Sequence, residues 1–135
     1  MGHSEKGFTL VELVVVLIII GVVLGIGVPK YFKVQAQAEY DADVATIKRL
    51  AKEVEMYAVK EDNYTDKTIS TLTSQNVIEN VVLNRKKSGN KSVKNDGSKI
   101  SSVGGTLKFK FNSLGFITDD SLDAVIKGLI GPPVY

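Results

Sequence analysis

The sequence predicts an α+β fold: one long N-terminal α-helix, transmembrane in its first half and amphipathic in its second, packed on a small antiparallel β-sheet. Three observations predict it. Phe8 to Val28 is an almost unbroken run of aliphatic residues and glycines. Beyond it, apolar residues recur at three- and four-residue steps as far as Ala58, the period of a helix with one buried face. The C-terminal half then turns to Thr, Ser, Asn and Lys, punctuated by Gly-containing turns and a stretch of alternating apolar and charged positions.

The first element is set by length. A helical run of 21 residues extends roughly 30 Å, the thickness of a bilayer's hydrocarbon core. Glu12 lies near its start, where an ionisable group costs about a few kcal/mol and needs a partner. No cation lies within the run. Cleavage after Gly7 would create one, a free α-amine on Phe8, one helical turn from Glu12 on the same face. That amine could neutralise its own Glu12 or the Glu12 of an identical neighbour. The second option makes a charge pair that exists only in an assembly.

Lys6-Gly7-Phe8-Thr9-Leu10-Val11-Glu12 resembles the prepilin processing site of type IV pilins and type II secretion pseudopilins, with Gly21 and Pro29 matching a glycine and a proline of the same pattern. The likeness covers residues 1 to about 64 well and the remainder loosely. It implies a pilin-like fold, removal of Met1–Gly7 by a prepilin peptidase, N-methylation of Phe8, and contact of Glu12 with the Phe8 amine of an adjacent subunit. It also implies a homo-oligomeric helical filament built by an inner-membrane assembly platform, with a single-pass membrane state before assembly and a cell-surface state after it. The domains expected are a leader (1–7), a membrane and filament-core helix (8–29), and an amphipathic helix with a globular domain (30–135). The chain departs from many type IV pilins in having no cysteine to close a C-terminal loop.

Two rival readings of the N-terminus fit less well. A secretory signal has an apolar core of about 7–15 residues, a positive leader and a nearby small-residue cleavage site. Here the run is longer, Glu5 cancels Lys6, and Ala36-Gln37-Ala38 lies beyond Pro29. A plain single-pass anchor leaves Glu12 unexplained. Flanking charge does not set orientation, because Lys6 and the starting amine oppose Lys30 and Lys33.

The helix continues past Pro29 on a stripe of Tyr40, Val44, Ile47, Leu50, Ala51, Val54, Tyr57 and Ala58, and fades at Glu61-Asp62-Asn63-Tyr64 with Asn63 as the expected C-cap. Its weak part is Gly21 to Pro29. Gly21, Gly25 and Gly27 cost about 1 kcal/mol each relative to Ala, and an interior proline costs about 3. Pro29 also removes the donor to the Gly25 carbonyl. In a bilayer the helix is expected to stay intact, and in a filament this stretch is expected to melt and extend. A small-xxx-small helix contact through Gly21 and Gly25 is the alternative.

In the C-terminal half, Ser70 to about Asn76 reads as a short helix. Asp96-Gly97 and Gly104-Gly105 read as two-residue hairpin turns, the first separating Lys91–Lys94 from Ser98–Val103 and the second separating Ser98–Val103 from Thr106–Asn112. Leu107, Phe109 and Phe111 alternate with Lys108 and Lys110, as in a half-buried strand. Gly115 starts a further strand through Thr118. The expectation is a meander of three or four strands over Val54 and Tyr57, then a helix at Leu122–Leu129 capped by Asp120 or Ser121.

Signs of enzymatic chemistry are absent: no nucleophile–base pair, no metal-type cluster, no phosphate-cradling loop, and one histidine, His3, in the expected leader. No cofactor is implied, and an enzyme is not expected. A net charge of +2 implies no general polyanion partner. Asp119, Asp120 and Asp123 could bind Ca²⁺, with helix capping as the simpler account. Arg85, Lys86, Lys87, Lys91, Lys94 and Lys99 could line a filament with phosphate contacts for nucleic acid. The simpler account there is a solvated loop, or one docking on Glu39, Asp41 and Asp43 of the next subunit. The function read from the residues and the resemblance is a type IV pilus subunit. The alternatives are a pseudopilin of type II secretion or competence DNA uptake and, from another class, a membrane-tethered binding module.

Overall fold

The computed structural model describes residues 9–134. The order of elements is α1 (Leu10–Glu61), β1 (Lys67–Thr68), α2 (Ile69–Ser74), β2 (Arg85–Ser88), β3 (Lys91–Lys94), α3 (Ile100–Gly104), β4 (Lys108–Phe109) and α4 (Asp119–Ile130). The chain forms two compact units that divide within α1, between Gln35 and Ala36.

In the first unit the helix carries no core. Its apolar residues from Leu10 to Val28 are 43–76% exposed. Thr9 starts it: the Thr9 Oγ1 accepts from the Glu12 N–H at 3.2 Å and the Thr9 carbonyl from the Leu13 N–H at 3.1 Å. Pro29 lies inside a helix that is unbroken through Gly21–Pro29.

The second unit is organised around the amphipathic half of α1. Tyr40, Ile47, Leu50, Ala51, Val54 and Ala58 are buried, as the helical spacing predicts. Ile47 and Val54 are fully enclosed, and burying each contributes about 1.5–3 kcal/mol. They meet Ile69 and Leu72 of α2, Phe109 of β4, and Val125, Leu129 and Ile130 of α4 in one core. The helix ends at Glu61, two residues before the predicted cap. Asp62 takes the left-handed conformation at φ 49°, and the Asn63 N–H reaches back to the Ala58 carbonyl at 3.1 Å, a Schellman ending. Asn63 serves the next turn instead, its Oδ1 accepting from the N–H and hydroxyl of Thr65.

The α+β class stands, but the single meander does not. There are two separate two-stranded antiparallel ladders, β1 with β4 (Lys67 opposite Phe109) and β2 with β3 (Arg85 opposite Lys94). The β2–β3 hairpin turns at Gly89-Asn90, with Gly89 at φ 59° in the first central position, as a type II′ turn requires. At Asp96-Gly97 the chain instead leaves the hairpin. Asn95 Oδ1 accepts from the Gly97 and Ser98 N–H groups, and its amide donates to the carbonyls of Leu83 and Ser98.

Ser98–Val103 is not a strand, because its apolar residues recur at helical rather than alternating steps. Ile100 and Gly104 are buried on one side of α3, and the Asn80 side chain accepts from the Ser101 N–H. Nor is Gly104-Gly105 a hairpin. A Cβ at Gly104 would lie 2.4 Å from Leu107 Cδ1 and 2.9 Å from Leu129 Cδ2, so the glycine allows close packing there. The strand expected after Gly115 reduces to one bridge, Phe111 with Ile117.

α4 starts earlier than predicted and is capped by Thr118, whose Oγ1 accepts from the Ser121 N–H at 3.1 Å. Ser121 is buried and ties α4 to β4, accepting from the Lys110 N–H and donating to the Lys108 carbonyl.

Candidate assembly site

Gly7 and Phe8, the expected cleavage pair, lie outside the described residues. Glu12 sits in the first turn of α1 with its backbone N–H bound to Thr9. Thr9-x-x-Glu12 is the spacing of a capping box, a signal that the sequence reading passed over. Only half of the box forms. Among the described residues the Glu12 carboxylate accepts no hydrogen bond and meets no cation. The partial positive charge of a helix N-terminus favours a carboxylate there, but about 0.3–1 kcal/mol of that kind does not replace a counter-charge in hydrocarbon. The helix is long and apolar enough to cross a membrane, and its most apolar stretch is wholly unburied.

Gly21, Gly25 and Gly27 have open space where a Cβ would stand, with no heavy atom within 4 Å. Packing inside one chain therefore gives no reason for glycine at these positions. The reason has to come from backbone conformation or from a neighbour.

The basic cluster lies on the β2–β3 hairpin except for Lys99, which precedes α3, and it is partly neutralised within its own domain. Arg85 is buried: Nη2 donates to the Ser92 carbonyl at 2.8 Å, Nε to Ser92 Oγ at 3.0 Å, and Nη1 to Glu39 Oε2 at 3.4 Å. Lys86 holds Asp96 at 2.9 Å, which lowers that carboxyl to a pKa of about 2. Lys87, Lys91, Lys94 and Lys99 stay exposed. A phosphate-binding role for them is a proposal, to be checked by the salt dependence of DNA retention on filaments.

Asp43, considered above as a docking point for another subunit, is committed within the chain. It is buried, with Oδ1 accepting from the Asn84 N–H at 2.9 Å and Oδ2 from the Arg85 N–H at 2.8 Å. Burial pushes its pKa up, against the lowering effect of those two N–H groups. This clasp between α1 and the start of β2 had no sequence signal, since Asp43 and Arg85 stand 42 residues apart.

Among the described residues no three metal-ligating side chains come together. Asp119 and Asp120 lie in the first turn of α4, where they favour the helix dipole, and Asp123 pairs with Lys127 at 2.9 Å. These aspartates therefore act on the helix dipole and an ion pair, while the cap itself is Thr118.

Residues 2–28 match the family described as the prokaryotic N-terminal methylation motif. The chain is 33% identical over 62 residues to the type IV major pilin protein PilA of Myxococcus xanthus (strain DK1622), an alignment covering 46% of this chain and 28% of that protein. It is 32% identical over 63 residues to the type II secretion system core protein G of Pectobacterium carotovorum subsp. carotovorum, covering 47% of this chain and 40% of that one. The alignments thus span well under half of either relative. No solved structure matches. The segment that holds Glu12 and the exposed apolar start of α1 thus matches the prokaryotic N-terminal methylation motif, and the chain is similar over about 62 residues to part of a type IV major pilin and part of a type II secretion core protein.

Proposed function

We propose that this chain is the structural subunit of a type IV filament. It is inserted in the membrane as a precursor, cut between Gly7 and Phe8 by a prepilin peptidase, methylated on Phe8 and polymerised through α1. The observation that carries the reading is the exposed apolar run from Leu10 to Val28 with a carboxylate at its head that has no partner among the described residues. A membrane hides the apolar surface but not the charge. A bundle of such helices hides both, because each Glu12 can meet the amine of another copy's Phe8.

The glycines and Pro29 then let the helix adjust as it moves from lipid to protein surroundings. The pseudopilin reading shares all of this, and similarity to a type II secretion core protein favours keeping it as the second reading.

The test is Glu12→Leu in the producing cell. Filaments are expected to disappear from the sheared surface fraction while the precursor inserts and accumulates normally. Normal filaments from this variant would leave a simple tether or anchor as the better account.

A further inference from the structure

The second unit carries an apolar groove of about 340 Å³ formed by Glu55, Met56 and Val59 of α1 and the turn Leu114-Gly115-Phe116. Its apolar residues are the most exposed in that unit: Leu114 78%, Met56 71%, Val59 63% and Phe116 55%. The turn is not loose. Asn112 Oδ1 accepts from the Leu114 and Phe116 N–H groups, and the Asn112 N–H donates to the Phe116 carbonyl at 2.8 Å. Gly115 stands at φ 86° with Tyr64 against it, 2.8 Å from where a Cβ would be. Glu55 anchors the same turn through the Ile117 N–H at 3.0 Å. A tightly bonded turn thus holds Leu114 and Phe116 out into solvent.

Among the described residues the only charge lining the groove is the Glu55 carboxylate, which already pairs with Lys52 at 3.5 Å and accepts from the Ile117 N–H. At the end of α1, Glu61 and Asp62 are exposed and have no ion pair among the described residues. The groove is therefore apolar, and the unpaired acids Glu61 and Asp62 follow its α1 side along the chain.

The complementary surface is in the same sequence. Residues 30–34, Lys-Tyr-Phe-Lys-Val, place Tyr31 and Phe32 between two lysines and Val34 just after them, all three at 62–63% exposure, and the lysines are exposed and meet no acid among the described residues. In a membrane-anchored precursor this segment suits the lipid–water boundary, where aromatic rings and lysines are stabilised together. On leaving the bilayer it loses that environment and needs a new cover.

We propose that residues 30–34 of a second copy of this chain dock in the groove, with Phe32 and its neighbours on Met56, Val59, Leu114 and Phe116 and the lysines toward Glu61 and Asp62. The proposal rests on the filament reading and names one contact that holds the filament's outer layer to its core. The contact is heterologous, so it propagates instead of closing into a dimer. For parallel copies it fixes a stagger.

The chain has no cysteine, so cross-linking is clean. Filaments bearing both Phe32→Cys and Leu114→Cys, sheared from cells and oxidised, are expected to run as a ladder of covalent multimers, with monomers from either single variant. Filaments of the double variant that give no ladder overturn the contact while leaving the filament reading intact. Dimers from Leu114→Cys alone overturn it in favour of a two-fold contact, and a covalent adduct to a different protein overturns it in favour of another occupant. Failure of the unsubstituted chain to form filaments overturns both readings.

Should the double variant not assemble, Leu114→Asp decides. Filament yield is expected to fall about tenfold or more at an unchanged membrane level, with Leu114→Met near normal. An unchanged yield from Leu114→Asp overturns the proposal.

Discussion

Replacing Asp43 by alanine takes away, in one step, the acceptor of two backbone N–H groups at the point where α1 meets β2. The two do not count equally. Asn84 is exposed, so its N–H can turn to water, and losing that bond costs about 0.5–1.5 kcal/mol. The Arg85 N–H is buried and would stay unsatisfied, at about 1–3 kcal/mol. Against this stands the relief of no longer burying a carboxyl group, and the net expectation is about 2–3 kcal/mol of lost stability. Asp43→Asn keeps one acceptor and points an amide at the other N–H, so it should fall between wild type and alanine.

Urea unfolding of the full chain in detergent, followed by tyrosine fluorescence because there is no tryptophan, reads the difference. A loss below about 0.5 kcal/mol for alanine would refute the clasp as a stabilising element. So would equal losses for alanine and asparagine.

The same residue makes a statement about pH. Its pKa is raised above 3.8, chiefly by burial and also by the Glu39 carboxylate, so the folded chain holds a proton that the unfolded chain has already released. Stability attributable to Asp43 therefore falls as pH rises through the interval just above 3.8, and Asp43→Asn should flatten that slope.

Three further outcomes are expected. Mass spectrometry of the native protein should find a chain that begins at methylated Phe8, and an intact Met1 or an unmodified Phe8 would count against processing of this kind. Thr118→Ala removes the α4 cap and should lower stability by about 1 kcal/mol, with Thr118→Ser nearly neutral in the same urea titration. Gly115→Ala forces a side chain into a left-handed position against Tyr64 and should cost about 1–3 kcal/mol, visible as faster amide exchange at Leu114 and Phe116.

What could be read from the sequence follows the range of the forces involved. The stripe from Tyr40 to Ala58 was legible because helical periodicity is local and repeats many times. Phe109, flanked by Lys108 and Lys110, was legible for the same reason at a period of two. The β2–β3 hairpin was missed although Gly89-Asn90 is a permitted turn, because its flanks are lysine and serine and show no apolar alternation. Asp96-Gly97 looked the stronger turn, yet the Asn95 side chain directs the chain out of the hairpin. Gly104-Gly105 misled for another reason: glycine there answers to the side chains of Leu107 and Leu129, which arrive from further along the chain.

At the assembly site, Glu12 stood out because a charge in an apolar run is conspicuous. Thr9 did not, since its role is a single hydrogen bond at a helix start. The groove at Leu114 and Phe116 left no pattern at all. Its residues come from two segments more than fifty positions apart, and only folding brings them side by side.

The hydroxyl of Tyr40 donates to the Gly131 carbonyl at 3.0 Å across 91 residues of sequence, and the buried Leu129 and Ile130 lie just before that bond. This has a consequence for the order of events in the cell. During synthesis α1 emerges first and can enter the membrane at once, whereas the helix that closes the domain is made last. Until α4 arrives, the stripe from Tyr40 to Ala58 has no lid, and contacts of such long range form slowly. On the proposed filament-subunit reading, the nascent chain therefore passes through an interval with the run from Leu10 to Val28 in the bilayer and the stripe bare outside it. That stripe stays uncovered by its own domain until α4 has been made.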